Sequence, residues 1–165
     1  MKKIIALLLA LLLIIACVGC GTPKEIVKDK KFTSASSVNY VKVKTRVENM
    51  RTEYPEEWDE EQQRMEYHLT PIGTIVIEVE PVGNYKTEFT DCTLNVSFEA
   101  GNLGKGFVDI TLDETGHGVA KIEKTGSGWR SRTKTSFTTP NVSTTVTAAA
   151  GRVKTYIPYN PEENK

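Results

Sequence analysis

From residue 38 onward the sequence predicts an all-β fold, an antiparallel β-sandwich, on three observations. Apolar and polar residues alternate with a period of two in segment after segment, the pattern of strands with one buried and one wetted face. Short turns rich in Gly, Asn and Asp separate those segments: Val82-Gly83-Asn84, Gly101-Asn102-Leu103-Gly104, Asp113 to Gly118, Gly126-Ser127-Gly128 and Ala150-Gly151-Arg152. Strands and turns of this kind pack as two antiparallel sheets. Cys92 is the only thiol in that region, so the core is expected to hold by packing and not by a disulfide.

Ahead of this domain, 38–160, the chain opens differently. Lys2 and Lys3 form a positive n-region, and Ile4 to Ile15 an unbroken apolar run that fits a secretory h-region and falls short of the roughly 20 residues of a membrane span. Cys17 and Cys20 follow at once. The stretch Ile14-Ile15-Ala16-Cys17-Val18-Gly19-Cys20 resembles the lipobox that ends the signal peptide of prokaryotic lipoproteins, where a small residue precedes a Cys that receives a diacylglycerol. Cleavage before Cys17, with Ile14 and Ala16 in the recognition positions, is the preferred register. Cleavage before Cys20, which puts Gly19 next to the cut, is the alternative. The resemblance covers residues 1–20 and implies a lipid anchor and an extracytoplasmic place at the cell membrane or cell envelope. Residues 21–37, with Thr22-Pro23-Lys24, the charges Lys28 to Lys31 and Ser34-Ala35-Ser36-Ser37, are expected to be a flexible linker, because such sequence buries too little to offset the entropy of ordering it. A disordered tail is expected at 161–165.

The first strand is expected where Val41, Val43, Thr45 and Val47 alternate with Lys42, Lys44, Arg46 and Glu48. Residues 54–65 break the rhythm: Pro55 with Glu56, Glu57, Asp59, Glu60 and Glu61 behind it reads as a short helix or an ordered acidic loop, since a helix N-terminus favours acids. Within it Trp58 and Met65 are expected to pin the connection to the edge of the sandwich, with a cation site or a docking knob around Trp58 as the functional counterpart. Ile75, Ile77 and Val79 with Val76 on the second face predict a central strand. Cys92, Leu94, Val96 and Phe98 predict the next, pointing inward, and Val108, Ile110 and Leu112 another. Ala120 with Ile122, Val142 with Val146, and Val153 with Ile157 complete the set.

The segment Leu94 to Ile122, strand, loop, strand and a Leu112-to-Gly118 hairpin, resembles immunoglobulin-like and fibronectin-III-like sandwiches. Without a partner for Cys92 the likeness is to their disulfide-free members, and no function travels with it.

Charge excludes one class of partner. Removing Lys2 and Lys3 from the 21 basic residues leaves 19 against 21 acidic, too few for general affinity to nucleic acid. The charges are uneven along the chain: Glu53 to Glu114 holds fifteen acids and three bases, Lys121 to Lys154 seven bases and one acid, which predicts an acidic and a basic region if the later strands sit together. Catalytic patterns are missing. His68 and His117 are the only histidines; no nucleophile elbow, phosphate-cradling Gly loop or zinc spacing accompanies them, and neither a metal nor a cofactor is implied. Asp109 and Asp113, four apart, share an outer face as surface residues do. Asn95-Val96-Ser97 and Asn141-Val142-Ser143 match the N-glycosylation acceptor by chance, the first lying mid-strand.

The loop from Gly126 to Arg132 is the candidate site. Its glycines are expected to make it mobile, and Trp129 beside Arg130 and Arg132 offers an aromatic face for a sugar and guanidinium groups for an anion. Folding of the indole over a sheet edge is the structural alternative. Together these readings lead to the expectation of a lipid-anchored, non-enzymatic envelope lipoprotein that binds an envelope protein or a polysaccharide. An accessory subunit of an envelope complex and a carbohydrate-active enzyme stand behind that expectation.

Overall fold

The structure, a computed structural model, describes residues 25–160 and 162. Residues 1–20, where the signal peptide with Cys17 and Cys20 is expected, and the expected tail 161–165 apart from Glu162 lie outside the described residues. Packing divides the chain into two compact units, Met1–Lys28 with Tyr156–Lys165, and Asp29–Thr155. In the first unit the described residues are the start of the first strand and the end of the last, with the few residues that follow it; the second unit contains the core and the candidate site.

Strands dominate, in the order β1 (Glu25–Lys31), a four-residue helix α1 (Ser34–Ser37), β2 (Val41–Glu53), β3 (Glu56–Asp59), β4 (Arg64–Pro81), β5 (Lys86–Glu99), β6 (Lys105–Thr111), β7 (Gly118–Thr125), β8 (Trp129–Ser131) and β9 (Ser143–Pro158). One sheet runs β1-β9-β5-β6. The other is organised on β4, whose second half pairs antiparallel with β2 and β7 and whose first half pairs antiparallel with β3 and β8. Val41, Ile75, Ile77 and Val79 from the β4 sheet meet Phe89, Cys92, Leu94, Val96, Phe98, Ile110 and Val153 from the other in a single core cluster. Two antiparallel sheets closing on one core is an architecture compatible with the expected β-sandwich. Each fully buried Ile or Val in it is worth about 1.5–3 kcal/mol.

The alternating segments form strands in the expected sense. Ile75, Val76 and Ile77 are buried on both faces of β4, Ile75 and Ile77 in the core cluster, with β2 and β7 paired on the two edges. On the outer face of that sheet the charges pair across strands: Lys44 Nζ lies 2.5 Å from Glu80, and Arg46 Nη1 2.7 Å from Glu78. The Arg46 guanidinium holds the Glu78 carboxyl below the usual carboxylate range.

Five expectations are corrected. Residues 21–37 are not a featureless linker from Glu25 on. That stretch forms β1, α1 with a reciprocal Thr33–Ser36 capping box, and Phe32, which is buried and meets Phe89 edge-on at 5.9 Å. Residues 54–65 hold most of a β-hairpin in place of a short helix or an ordered acidic loop: Glu56↔Tyr67 through Asp59↔Arg64 pair, and the Asp59 side chain closes the turn by accepting the Glu61 and Gln62 backbone N–H groups at 3.0 Å. Ala150-Gly151-Arg152 is no turn but the middle of β9. The Leu112-to-Gly118 connection is no hairpin, since β6 and β7 belong to different sheets. Finally, the basic later strands do not sit together. β7 and β8 lie against β4 and β9 against β5, so acidic and basic strands interleave.

Candidate functional site: the β3-β4-β8 blade

The first half of β4 carries β3 on one edge and β8 on the other. Two backbone bonds set this three-stranded blade: His68 N–H donates to the Pro55 carbonyl at 2.8 Å, and Gly126 N–H to the Pro71 carbonyl at 2.9 Å. The glycines of the candidate loop serve close approach and not mobility. A Cβ on Gly126 would stand 1.7 Å from the Asn102 carbonyl oxygen, and one on Gly128 2.2 Å from the Leu69 carbonyl oxygen. Residues 129–131, expected in a loop, are therefore laid against β4 as a strand, with Leu69↔Trp129, His68↔Arg130 and Tyr67↔Ser131 in register.

Register sorts the side chains into two faces, because successive residues of a strand point to opposite sides and paired residues to the same side. One face is charged and internally matched. Arg64 donates to Glu66 Oε1 through Nε at 2.9 Å and Nη2 at 2.6 Å. His68 Nδ1 lies 3.4 Å from Glu57, while Arg130 reaches Glu57 at 3.5 Å and Asp59 at 3.7 Å. Arg130 is thus committed to acids on the side of the blade away from Trp129. The structure does not bring the three candidate residues Trp129, Arg130 and Arg132 to one place: Trp129 and Arg130 point to opposite faces, and Arg132 stands exposed just beyond the end of β8.

The other face is aromatic. Trp58 and Met65 are cross-strand partners, and with Trp129 they are 56%, 51% and 48% exposed. Trp129 leans on Phe137, ring centroids 4.3 Å apart at 59°, and the Phe137 backbone is fixed by donation to Thr52 Oγ1 at 3.1 Å. The indole therefore folds on a sheet edge, as the structural alternative had it, and still shows half its surface. Lys134 Nζ stands over Tyr67 at 5.0 Å and Tyr54 at 5.9 Å from the ring centroids. Tyr54 Oη and Ser136 Oγ are 3.1 Å apart and share a hydrogen bond.

Sequence reading missed Tyr54, Tyr67, Lys134 and Phe137, and placed Trp58 and Met65 as residues pinning the connection to the sandwich edge, where the structure leaves both more than half exposed. A period-two signal was present: Glu56 and Trp58 alternate with Glu57 and Asp59, and Met65, Tyr67 and Leu69 with Arg64, Glu66 and His68. His117, the other histidine considered, belongs to a connection. Asp113 Oδ1 accepts from Thr115 N–H and Oγ1–H and from His117 N–H, at 2.9, 2.7 and 2.9 Å. The Thr115 hydroxyl spends its proton on Asp113, so His117 Nδ1, 2.8 Å away, is the donor to Thr115 Oγ1. Among the described residues no three His, Cys, Asp or Glu side chains are grouped to hold a metal ion. No helix among them is long and apolar enough to cross a membrane.

No family model, no curated protein and no solved structure matches this chain.

Proposed function

We propose that the protein is a lipid-anchored lipoprotein of the cell envelope, tethered through Cys17 or in the alternative register Cys20, whose immunoglobulin-like sandwich is a non-enzymatic binding module. The observation that carries the binding reading is the aromatic face of the blade. A scattered exposed apolar residue, such as Phe107, is ordinary, whereas Trp58, Met65 and Trp129 on one face of one small sheet are a cluster, and exposed apolar clusters mark places where something else packs. Trp and Met are also enriched at contact surfaces, and Trp is among the residues that dominate them energetically. The β6-to-β7 passage between sheets and the unpaired Cys92 suit the disulfide-free immunoglobulin-like class. The run of Lys2, Lys3, Ile4 to Ile15 and Ala16-Cys17 supports the anchor.

Two measurements test this. Cys17→Ser with Cys20→Ser should release the protein from the membrane fraction, and mass spectrometry of the mature N-terminus should find a lipid on one of the two; an intact Met1 sinks the anchor. Sedimentation with isolated cell-envelope material should be strong for the parent protein and lost in Trp58→Ala, whose thermal transition should stay within about 1 kcal/mol because an exposed cross-strand pair contributes no more. Undiminished sedimentation of Trp58→Ala together with Trp129→Ala would remove the blade from the function.

A further inference from the structure

The hairpin of β3 and β4 gathers negative charge around the exposed end of the blade. From Glu53 to Gln63 the chain carries six acids and no base. Glu57 and Asp59 are matched on the charged face by His68 and Arg130, and Glu53 lies 3.9 Å from Arg51. Glu56, Glu60 and Glu61 are exposed and form no ion pair among the described residues. Glu56 stands on the aromatic face two residues before Trp58, and Glu60 and Glu61 follow at the tip, beyond the last pair Asp59↔Arg64. Along the chain they bracket the cross-strand pair Trp58 and Met65, 56% and 51% exposed. The result is half-open apolar surface beside three unneutralised carboxylates.

The same face already accepts an ammonium. Lys134 Nζ stands over Tyr67 and Tyr54 at 5.0 and 5.9 Å from the ring centroids, the geometry in which the quadrupole of a ring attracts a cation. Tyr67 is the cross-strand partner of Glu56, so this tethered cation serves the inner end of the hairpin. Trp58, toward the tip, has no cation over it among the described residues, although an indole holds one better than a phenol does. Arg64, the base nearest the tip, is taken by Glu66 on the other face.

Complementarity fixes the sign and the form of what binds here. Among the described residues no three acidic side chains are grouped to hold a metal ion. Acids strung along a strand and its turn are instead met by cations strung along a chain. Alternate residues of an extended peptide repeat at about 7 Å, the separation of Glu56 from Trp58 along β3 as well. A phosphocholine headgroup carries a phosphate beside its ammonium, which the flanking carboxylates repel. Resting on the binding reading above, we propose that the β3–β4 hairpin docks a basic peptide segment of a partner protein, with one Lys or Arg side chain laid on Trp58 and Met65 and its neighbours paired with Glu56, Glu60 and Glu61.

Fluorescence anisotropy of labelled deca-lysine, titrated with the full chain in dodecyl maltoside micelles, tests this. Saturable binding is expected, weakening as salt rises because exposed charges are screened. It should weaken about tenfold in Trp58→Ala and clearly in Glu60→Gln with Glu61→Gln. The same change of charge placed elsewhere, Glu99→Gln with Glu114→Gln, both exposed, should leave it unchanged. Lys134→Gln should strengthen it by removing a like charge from the Glu56 end. Equal loss in the two double variants, indifference to Trp58→Ala or weaker binding in Lys134→Gln overturns the proposal. So does displacement of the peptide by phosphocholine or calcium at constant ionic strength, which would assign the site to a lipid headgroup or a metal. Absence of deca-lysine binding while envelope material still sediments through Trp58 refutes the basic partner and leaves the binding module standing; loss of both refutes both.

Discussion

Cys92 and Gly151 show how far single residues in this core depend on each other. Cys92 is fully buried, and the single proton of its thiol has two acceptors in reach, the Arg152 carbonyl at 3.2 Å and the Thr90 carbonyl at 3.4 Å. Burial pushes that thiol up from its ordinary value, so it should react slowly with polar thiol reagents. Gly151, on the neighbouring strand, has a φ of +124°, and a Cβ there would stand 2.6 Å from Cys92 Sγ and 2.7 Å from the Asp91 carbonyl oxygen. Gly151→Ala is therefore expected to lower unfolding free energy by about 2–4 kcal/mol, from backbone strain and overpacking together. Cys92→Ala alone should cost about 1 kcal/mol. The double variant should fall short of the sum of the two, because removing Sγ relieves one of three close contacts while the Asp91 carbonyl oxygen and Cys92 Cα, each 2.7 Å from the added Cβ, stay; denaturant unfolding of all four proteins decides it, and strict additivity would show that the sulfur does not confine Gly151. Asp113 offers a second test. Its carboxyl is held below its ordinary value first by the Thr115 hydroxyl and then by the His117 N–H. A depressed folded-state value contributes stability that is complete above the unfolded value, about pH 4, and disappears as pH falls through the folded one. Asp113→Asn keeps an acceptor without the titration, so acidification below about pH 4 should lower the melting temperature of the parent protein more than that of the variant. Parallel curves would mean that the turn does not depend on the carboxylate charge.

At the scale of elements, the strands that could be read were those with one wet and one dry face. The alternations of β2, β5 and β6 stand out because the polar partners of Val41, Leu94 and Ile110 face water. β1 left no such trace: all seven of its residues are exposed, and it joins the sheet beside β9 through backbone pairing and the Asp29–Arg152 ion pair, neither of which leaves a hydrophobic period. β3 was hidden by its acids, which suit a helix N-terminus as well as the charged face of a hairpin opposite Arg64, His68 and Arg130. β9 looked like two strands because Gly151, which reads as a turn residue, is needed for close approach to Cys92. The site was half legible for a related reason. Trp129 was conspicuous, yet which neighbours share its side depends on β8 pairing with β4, and the sequence of residues 126–132 carries no mark of that partner. Gly128 is the hinge of this arrangement. Gly128→Ala should push β8 off the Leu69 carbonyl, separate Trp129 from Phe137 and lower blade stability by about 1–3 kcal/mol. Near-ultraviolet circular dichroism should lose aromatic signal while the far-ultraviolet β signal stays. Retention of the aromatic signal would show that β8 tolerates the methyl group in place.

Across the Asp29–Thr155 unit the apolar material is divided unequally. The core cluster draws on residues from Phe32 to Val153 but on none between Tyr54 and Leu69 or between Gly126 and Phe137. The blade instead depends on Leu69, the Trp129–Phe137 contact, the cross-strand charges and β4 itself, which passes from blade to core without interruption. Stability should accordingly come in two levels, the lower one at the blade. Amide hydrogen exchange is expected to be slowest at Ile75, Ile77, Leu94 and Val96, and faster at Trp58, Tyr67 and Arg130 although those amides lie in paired strands. Substitutions should respect the division. Phe32→Ala removes a ring that touches Phe89 and Tyr40 and should cost about 3–5 kcal/mol, accelerating exchange throughout the core and making residues before position 38 indispensable to the folded unit. Gly128→Ala should accelerate exchange only between Tyr54 and Leu69 and around β8. With stability divided in this way, the binding face proposed for the blade would adjust its rings without loosening the core that carries it. Uniform acceleration across both regions in either variant would show that blade and core unfold as one, and the blade would then have no freedom of its own to contribute to binding.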